Sequence, residues 1–228
     1  MNNLFFIIKT ILIVCVVVFF SFCKGGNKAS NKSEGIIEFQ TSGVDEKHPF
    51  YGLVPTSATL KFKNDRFIME MSTMGLFNIS IIGDIQAKTL AQTIRYLDIK
   101  QACVETEKEI ATDNKNYELK IDETNITKKI AGLKCYKLRV TMAHNPKVTY
   151  DIWYTKELGM ENCNALSPYH EVKGVLMDYR AKKMGIEIHF VAKSYKHNEI
   201  PPSSFEIPAS LKIISKDEME KWFAGLLQ

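Results

Sequence analysis

Along most of the chain apolar and polar positions alternate with a period of two, as a strand with one buried and one wet face requires. Ile37-Glu-Phe39, Leu60-Lys-Phe62, Phe67-Ile-Met69-Glu-Met71 and Phe77-Asn-Ile79-Ser-Ile81 follow this rule. So do Tyr117–Ile121, Cys135–Thr141, Thr149–Tyr154, Val175–Tyr179 and Ile186–Val191. Polar turn signals part them: Lys63–Asp65, Asp113–Asn116, His144–Pro146 and Met184-Gly185. About nine short strands with brief turns predict a curved antiparallel sheet, since a parallel array would need helices between its strands. The stretch Ile85–Val104 reads both ways: Leu90, Ile94 and Leu97 fit a helix, Thr89, Thr93 and Tyr96 fit strands. The last segment is a helix by every local rule. Ser215 caps it, Glu218 completes a capping box, and Met219, Trp222, Phe223 and Leu226 share a face.

The first segment breaks the pattern. Leu4–Phe22 is nearly all apolar, interrupted by Lys9 and Thr10, and its central run Ile11–Phe20 has the length of a signal-peptide core. A spanning helix prefers roughly 20 residues. Cys23 ends the run and opens a tether, Lys24–Ser33, rich in Gly, Asn, Ser and Lys. This junction resembles a bacterial lipobox with Phe22 where a small residue is usual, and it makes Cys23 the expected site of lipidation. An uncleaved membrane anchor and ordinary cleavage are the alternatives. The expected organisation is therefore a signal or anchor over 1–22, a flexible tether over 23–34, and one domain over 35–228.

Composition adds limits. Of 228 residues, 45% are hydrophobic and 25% charged, which is globular material able to bury a core. A formal charge of +4 gives no support to nucleic-acid binding. If Cys23 is lipidated, Cys103, Cys135 and Cys163 remain in the domain. They form either one disulfide with a thiol left over or three buried thiols.

The chemistry is sparse. The five histidines share no metal-ligand spacing with one another or with cysteine, and no CxxC or HExxH occurs. There is no G-x-S-x-G, Walker loop or dinucleotide-binding glycine pattern. His189, between Ile188 and Phe190 on a strand, is expected to face solvent. Cys135 reads as a structural thiol, and Asp98, Asp122 and Glu123 as a solvated face. The triplets beginning at Asn31, Asn78 and Asn125 match a glycan acceptor pattern that has no meaning in a bacterial lipoprotein. No cofactor, metal or catalytic residue is therefore expected. What stands out is softness, with nine methionines and thirteen phenylalanines. Methionine adapts to variable apolar partners, which suggests a groove for an acyl chain lined by Met69, Met71, Phe77, Ile79 and Trp153. The same residues would equally fill the concave side of a sheet against its helix.

Four stretches together resemble the LolA-like lipoprotein families of the Bacteroidota: Lys128–Lys137 with its Ile-Ala-Gly turn, Asp151–Leu158 with Ile-Trp-Tyr-Thr, the strand to Lys193, and Phe205–Pro208 before the final helix. Leu133 stands where the families carry an aromatic and Ile152 where they carry valine. The resemblance implies a mainly β, α+β fold: a half-barrel sheet wrapped on few helices. It brings no catalytic residues, and carriage does not follow from fold. The Lys-Gly-Gly-Asn sequence after Cys23 lacks the acidic residues of surface-exported members, so a membrane-anchored, periplasm-facing place in the cell envelope is expected. Two functions fit: binding of a lipid, acyl chain or other apolar ligand in the concave face, or a non-catalytic envelope interaction module with a filled core.

Overall fold

The computed structural model describes residues 33–183 and 185–225. The apolar N-terminal run, Cys23 and all but the end of the expected tether lie outside them. Twelve strands follow in chain order: β1 (Glu34–Gly43), β2 (Ser57–Lys63), β3 (Arg66–Thr73), β4 (Phe77–Asp84), β5 (Thr89–Tyr96) and β6 (Ile99–Glu105) form the first block. Helix α1 (Glu107–Asn116) leads to β7 (Leu119–Ile130), β8 (Leu133–Met142), β9 (Asn145–Thr155), β10 (Val175–Lys183) and β11 (Ile186–Lys196). The short β12 (Lys212–Ile213) and helix α2 (Lys216–Gly225) close the described chain. The fold is mainly β, as the alternation predicts. The ambiguous stretch resolves into β5 and β6, joined at Leu97, which is 69% exposed and takes a φ of 51°.

All twelve strands belong to one unclosed sheet in the order β12-β6-β5-β4-β3-β2-β1-β11-β10-β9-β8-β7. Neighbours are antiparallel except β12, which runs parallel to β6. Tight turns set the registers. Ala131 and Gly132, both at positive φ, make the two-residue link between β7 and β8, a conformation suited to the right-handed twist of paired strands. The sheet curls. Tyr117, at the approach to β7, donates from its hydroxyl to Glu187 Oε1 of β11 at 2.8 Å, although three strands separate β7 from β11 in the order.

β1 lies between β2 and β11 and carries the centre of the core. Ile37 and Phe39 are buried with Phe62, Met69, Phe190 and Met177. On the opposite, convex face a strap over 200–211 is held by Ile200 and Phe205 against Ile68, Ile82 and Ala91. The α2 capping box forms as its sequence predicts: Ser215 Oγ accepts from Glu218 N at 3.2 Å, and Glu218 Oε2 accepts from Ser215 N at 2.9 Å. Met219 and Phe223 then bury against Phe77, Ile94 and Cys103. These four apolar clusters all fall within one compact unit, Lys32–Gln228, which thus owns its core. No helix among the described residues is long and apolar enough to cross a membrane.

Candidate functional site

Because side chains alternate along a strand, the inward positions of neighbouring strands share the concave side of the curled sheet. Phe67, Met69 and Met71 of β3 point there, beside Leu60 and Phe62 of β2 and Ile81 of β4. Tyr179 and Phe190 come from β10 and β11, their rings stacked at 5.0 Å. Between them is a cavity of about 230 Å³. An engineered apolar cavity of about 150 Å³ already takes up benzene, so this volume suffices for a compact apolar group.

One glycine keeps the space open. Gly83 pairs with Phe67 across β3 and β4, and the Phe67 ring lies where a Gly83 side chain would stand, its Cε1 only 2.1 Å from that position. A side chain on β4 there would drive the ring off its seat and into the cavity.

Two irregular pieces complete the walls. The β9–β10 connection supplies Met160, Leu166 and Tyr169. Asn164 pins this connection by donating to Val172 O at 2.8 Å and Gly174 O at 2.7 Å. The other piece is α1, which brings Ile110, Asp113 and Asn114. Its cap is complete: Thr106 N donates to Glu109 Oε2 at 2.7 Å, and Glu109 N donates to Thr106 Oγ1 at 3.3 Å. Yet Ile110 is the one buried residue of this helix. The cover of the cavity is lightly attached.

Polar groups gather at its edge. Lys216 Nζ lies 2.7 Å from Asp113 Oδ1 and 3.7 Å from Glu105 Oε2, tying α1, β6 and α2 together. Burial opposes the charge on Lys216, but the Asp113 hydrogen bond and the charges of Glu105 and Asp113 outweigh it and raise its pKa. Tyr150 and Tyr169 hydroxyls meet at 3.0 Å, and Arg180 lies 4.6 Å over the Tyr150 ring. Burial pushes the Tyr117, Tyr169 and Tyr179 hydroxyls above their ordinary range, so all three stay neutral donors.

The residues expected to line a groove part company. Met69 and Met71 line the cavity. Phe77 and Ile79 line a separate crevice of about 40 Å³ with Phe50 and Phe223. Trp153 lines none of these spaces: it is half-buried beneath Lys128, whose Nζ sits 4.1 Å from its ring. Met74 and Leu76, from the same soft stretch as Met71, are 89% and 62% exposed at the β3–β4 turn. Tyr179 and Phe190 lay within strands visible in the alternation, but Tyr169, Leu166 and Met160 sit on a connection with no period to mark them.

The remaining candidates behave as structure. Cys103, Cys135 and Cys163 form no disulfide among the described residues. Burial pushes Cys135 up to about 11 and Cys163 up to about 12, which leaves neither a nucleophile at neutral pH. His189, expected to face solvent, keeps 39% of its side chain exposed and meets Asp178 Oδ1 at 2.8 Å. Among the described residues no three His, Cys, Asp or Glu side chains gather as a metal site.

No family model and no curated protein matches this chain. Solved structures do. PNGF-II in a P21 crystal form aligns with a TM-score of 0.54 at 12% identity, covering 84% of this chain and 33% of that one. The C2 form gives 0.52 at 14% identity, covering 85% and 32%. The chain thus spans about a third of the length of the structures it matches, and the likeness is one of fold alone.

Proposed function

We propose that this protein is a membrane-tethered, periplasm-facing lipoprotein that carries a lipid, acyl chain or other apolar ligand in the concave face of a LolA-like half-barrel. The observation that carries the reading is the cavity of about 230 Å³ beneath α1, walled by phenylalanine and methionine side chains. An apolar lining of this kind is better covered by an apolar ligand than by water. Met69 and Met71 let it adapt to chains of different shape. The light attachment of α1 gives a route in and out.

The unit Lys32–Gln228, purified without detergent, should release a fatty acid or phospholipid in native mass spectrometry and displace a fluorescent fatty acid from its cavity. Failure of both would leave the envelope interaction module as the function. The tether is tested separately. Cys23→Ala should abolish palmitate labelling and release the full chain from the membrane fraction, since each buried CH₂ of an acyl chain contributes about 0.8 kcal/mol of attachment. A variant that stays membrane-bound, with no label on either form, would make the N-terminal run an uncleaved anchor.

A further inference from the structure

The three most exposed large apolar side chains among the described residues are Met74, Leu97 and Leu76. They sit on two turns at one end of the sheet, Met74 and Leu76 between β3 and β4, Leu97 between β5 and β6. The pairing of Phe77 with Tyr96 sets those turns side by side. Trp222 of α2 packs on both rings, 6.4 Å from Phe77 and 6.3 Å from Tyr96, and gives the turns a rigid base.

Neither packing nor turn chemistry accounts for these residues. Met74 and Leu97 take φ of 53° and 51°, a left-handed conformation that glycine, asparagine and aspartate adopt more readily than a bulky side chain. At the other end of the same strands the turns carry polar residues, Asn64 and Lys88, at their left-handed positions. Apolar side chains are thus held out to solvent where local preference and burial both oppose them, a conflict that marks functional positions.

The surroundings select the occupant. Just behind the β5–β6 turn, Arg95 and Lys100 are both exposed and face each other across the strands. Like charges directly opposite destabilise a sheet, and an anionic surface relieves that repulsion. Asp98 is the one acidic residue of either turn. Three apolar side chains of roughly 100 Å² each fall well short of the about 800 Å² per partner that a stable protein interface buries. They suit shallow insertion at a lipid headgroup boundary, where tyrosine and tryptophan rings also settle. Tyr96 and Trp222, both half-buried, stand directly behind them. The apolar lining also continues inward: the crevice of about 40 Å³ beside Phe77 and Phe223 shares Met71 and Ile81 with the larger cavity. We propose that this end of the sheet docks on an anionic lipid bilayer, with Met74, Leu76 and Leu97 inserted among the headgroups and Arg95 and Lys100 against lipid phosphates. The docking does not rest on lipidation of Cys23, and its test omits that residue.

Lys32–Gln228 is floated with vesicles of phosphatidylcholine alone and of phosphatidylcholine with phosphatidylglycerol. Binding to the anionic vesicles is expected, and it should weaken in high salt. Met74→Asn combined with Leu97→Asn, which suits the left-handed turns, should keep or raise Tm and weaken binding tenfold or more. Arg95→Gln combined with Lys100→Gln should also keep or raise Tm and should abolish the preference for anionic vesicles. Fluorescent fatty-acid binding without vesicles should be the same in all three proteins, which separates loss of docking from loss of the cavity's ligand. The proposal is overturned if neither vesicle binds, if neutral vesicles bind as well as anionic ones, or if either variant binds like the parent. A lower Tm in the asparagine variant would make the turns structural and overturn it too. So would a dimeric parent that the asparagine variant renders monomeric, which would assign the turns to a second copy of this chain.

Discussion

The two helices begin alike and end differently. Each spans ten residues and opens with a capping box, Thr106 with Glu109 in α1 and Ser215 with Glu218 in α2. Helix α2 then buries Met219 and Phe223 under the sheet, with Trp222 packed between Phe77 and Tyr96. Helix α1 buries Ile110 and little else. A cap fixes where a helix starts, but apolar burial decides how firmly it stays. Among the described residues, one helix therefore belongs to the core and one covers a cavity, and this asymmetry can be tested.

The largest effect should come from α2. Phe223→Ala removes a ring in contact with Phe77 and Trp222 and should cost about 3–4 kcal/mol in chemical denaturation. Ile110→Ala should cost less, about 1–2 kcal/mol, because its side chain already borders empty space and has fewer contacts to lose. It should, however, speed hydrogen exchange in α1 and alter fatty-acid uptake, which Phe223→Ala read at matched stability should not do. An equal cost for the two would erase the distinction between core and cover.

The caps come next. Ser215→Ala and Thr106→Ala should each cost about 1 kcal/mol locally. In α2 this should appear in the global transition, whereas in α1 it should appear mainly as local exchange. The smallest effect is that of acid. Hydrogen bonds to Thr106 hold the Glu109 carboxyl below its ordinary pKa, and those to Ser215 do the same for Glu218. A lowered carboxyl stabilises the fold above the ordinary carboxylate range and loses that contribution as pH falls through its folded value. Exchange measured from pH 5 to pH 3 should accelerate in α1 first. Simultaneous loss in both helices would show that the caps, and not the buried faces, hold them.

The same asymmetry explains what could be read from residues alone. Ser215, Glu218, Met219, Trp222 and Phe223 state α2 in full, because cap and buried face agree. In α1 the box at Thr106 and Glu109 is followed by Ile110 and Ala111 alone as apolar residues and then by Asp113–Asn116, which has the chemistry of a turn. The pair β5 and β6 was masked by Leu90, Ile94 and Leu97 falling at helical spacing. The pairing of Tyr96 with Ile99 and the positive φ of Leu97 show that residue to be a hairpin tip. Of the cavity, Met69 and Met71 were legible as inward positions of an alternating strand. Trp153 sits at a regular position of β9, opposite Lys137, but under Lys128 and away from the cavity, and the alternation does not say which part of a long sheet a position borders. Twist and bulges are properties of the assembled sheet and leave no period in a single strand.

The place of β1 at the middle of the sheet has a consequence for how the chain comes to be folded. Its residues bond on one side to β2, which follows in the chain after residues 44–56, and on the other to β11, so that Ile36 faces Lys196. An emerging polypeptide can build β1–β6 as a run of local hairpins early, yet the outer edge of β1 then has no neighbour until nearly the whole chain has followed. During that interval an apolar, unpaired strand is offered to any other chain nearby, the circumstance in which β-rich proteins aggregate. Completing the sheet also means closing a very long loop, which slows the final step. The interval before β11 arrives is thus the part of synthesis in which this sheet is most open to aggregation.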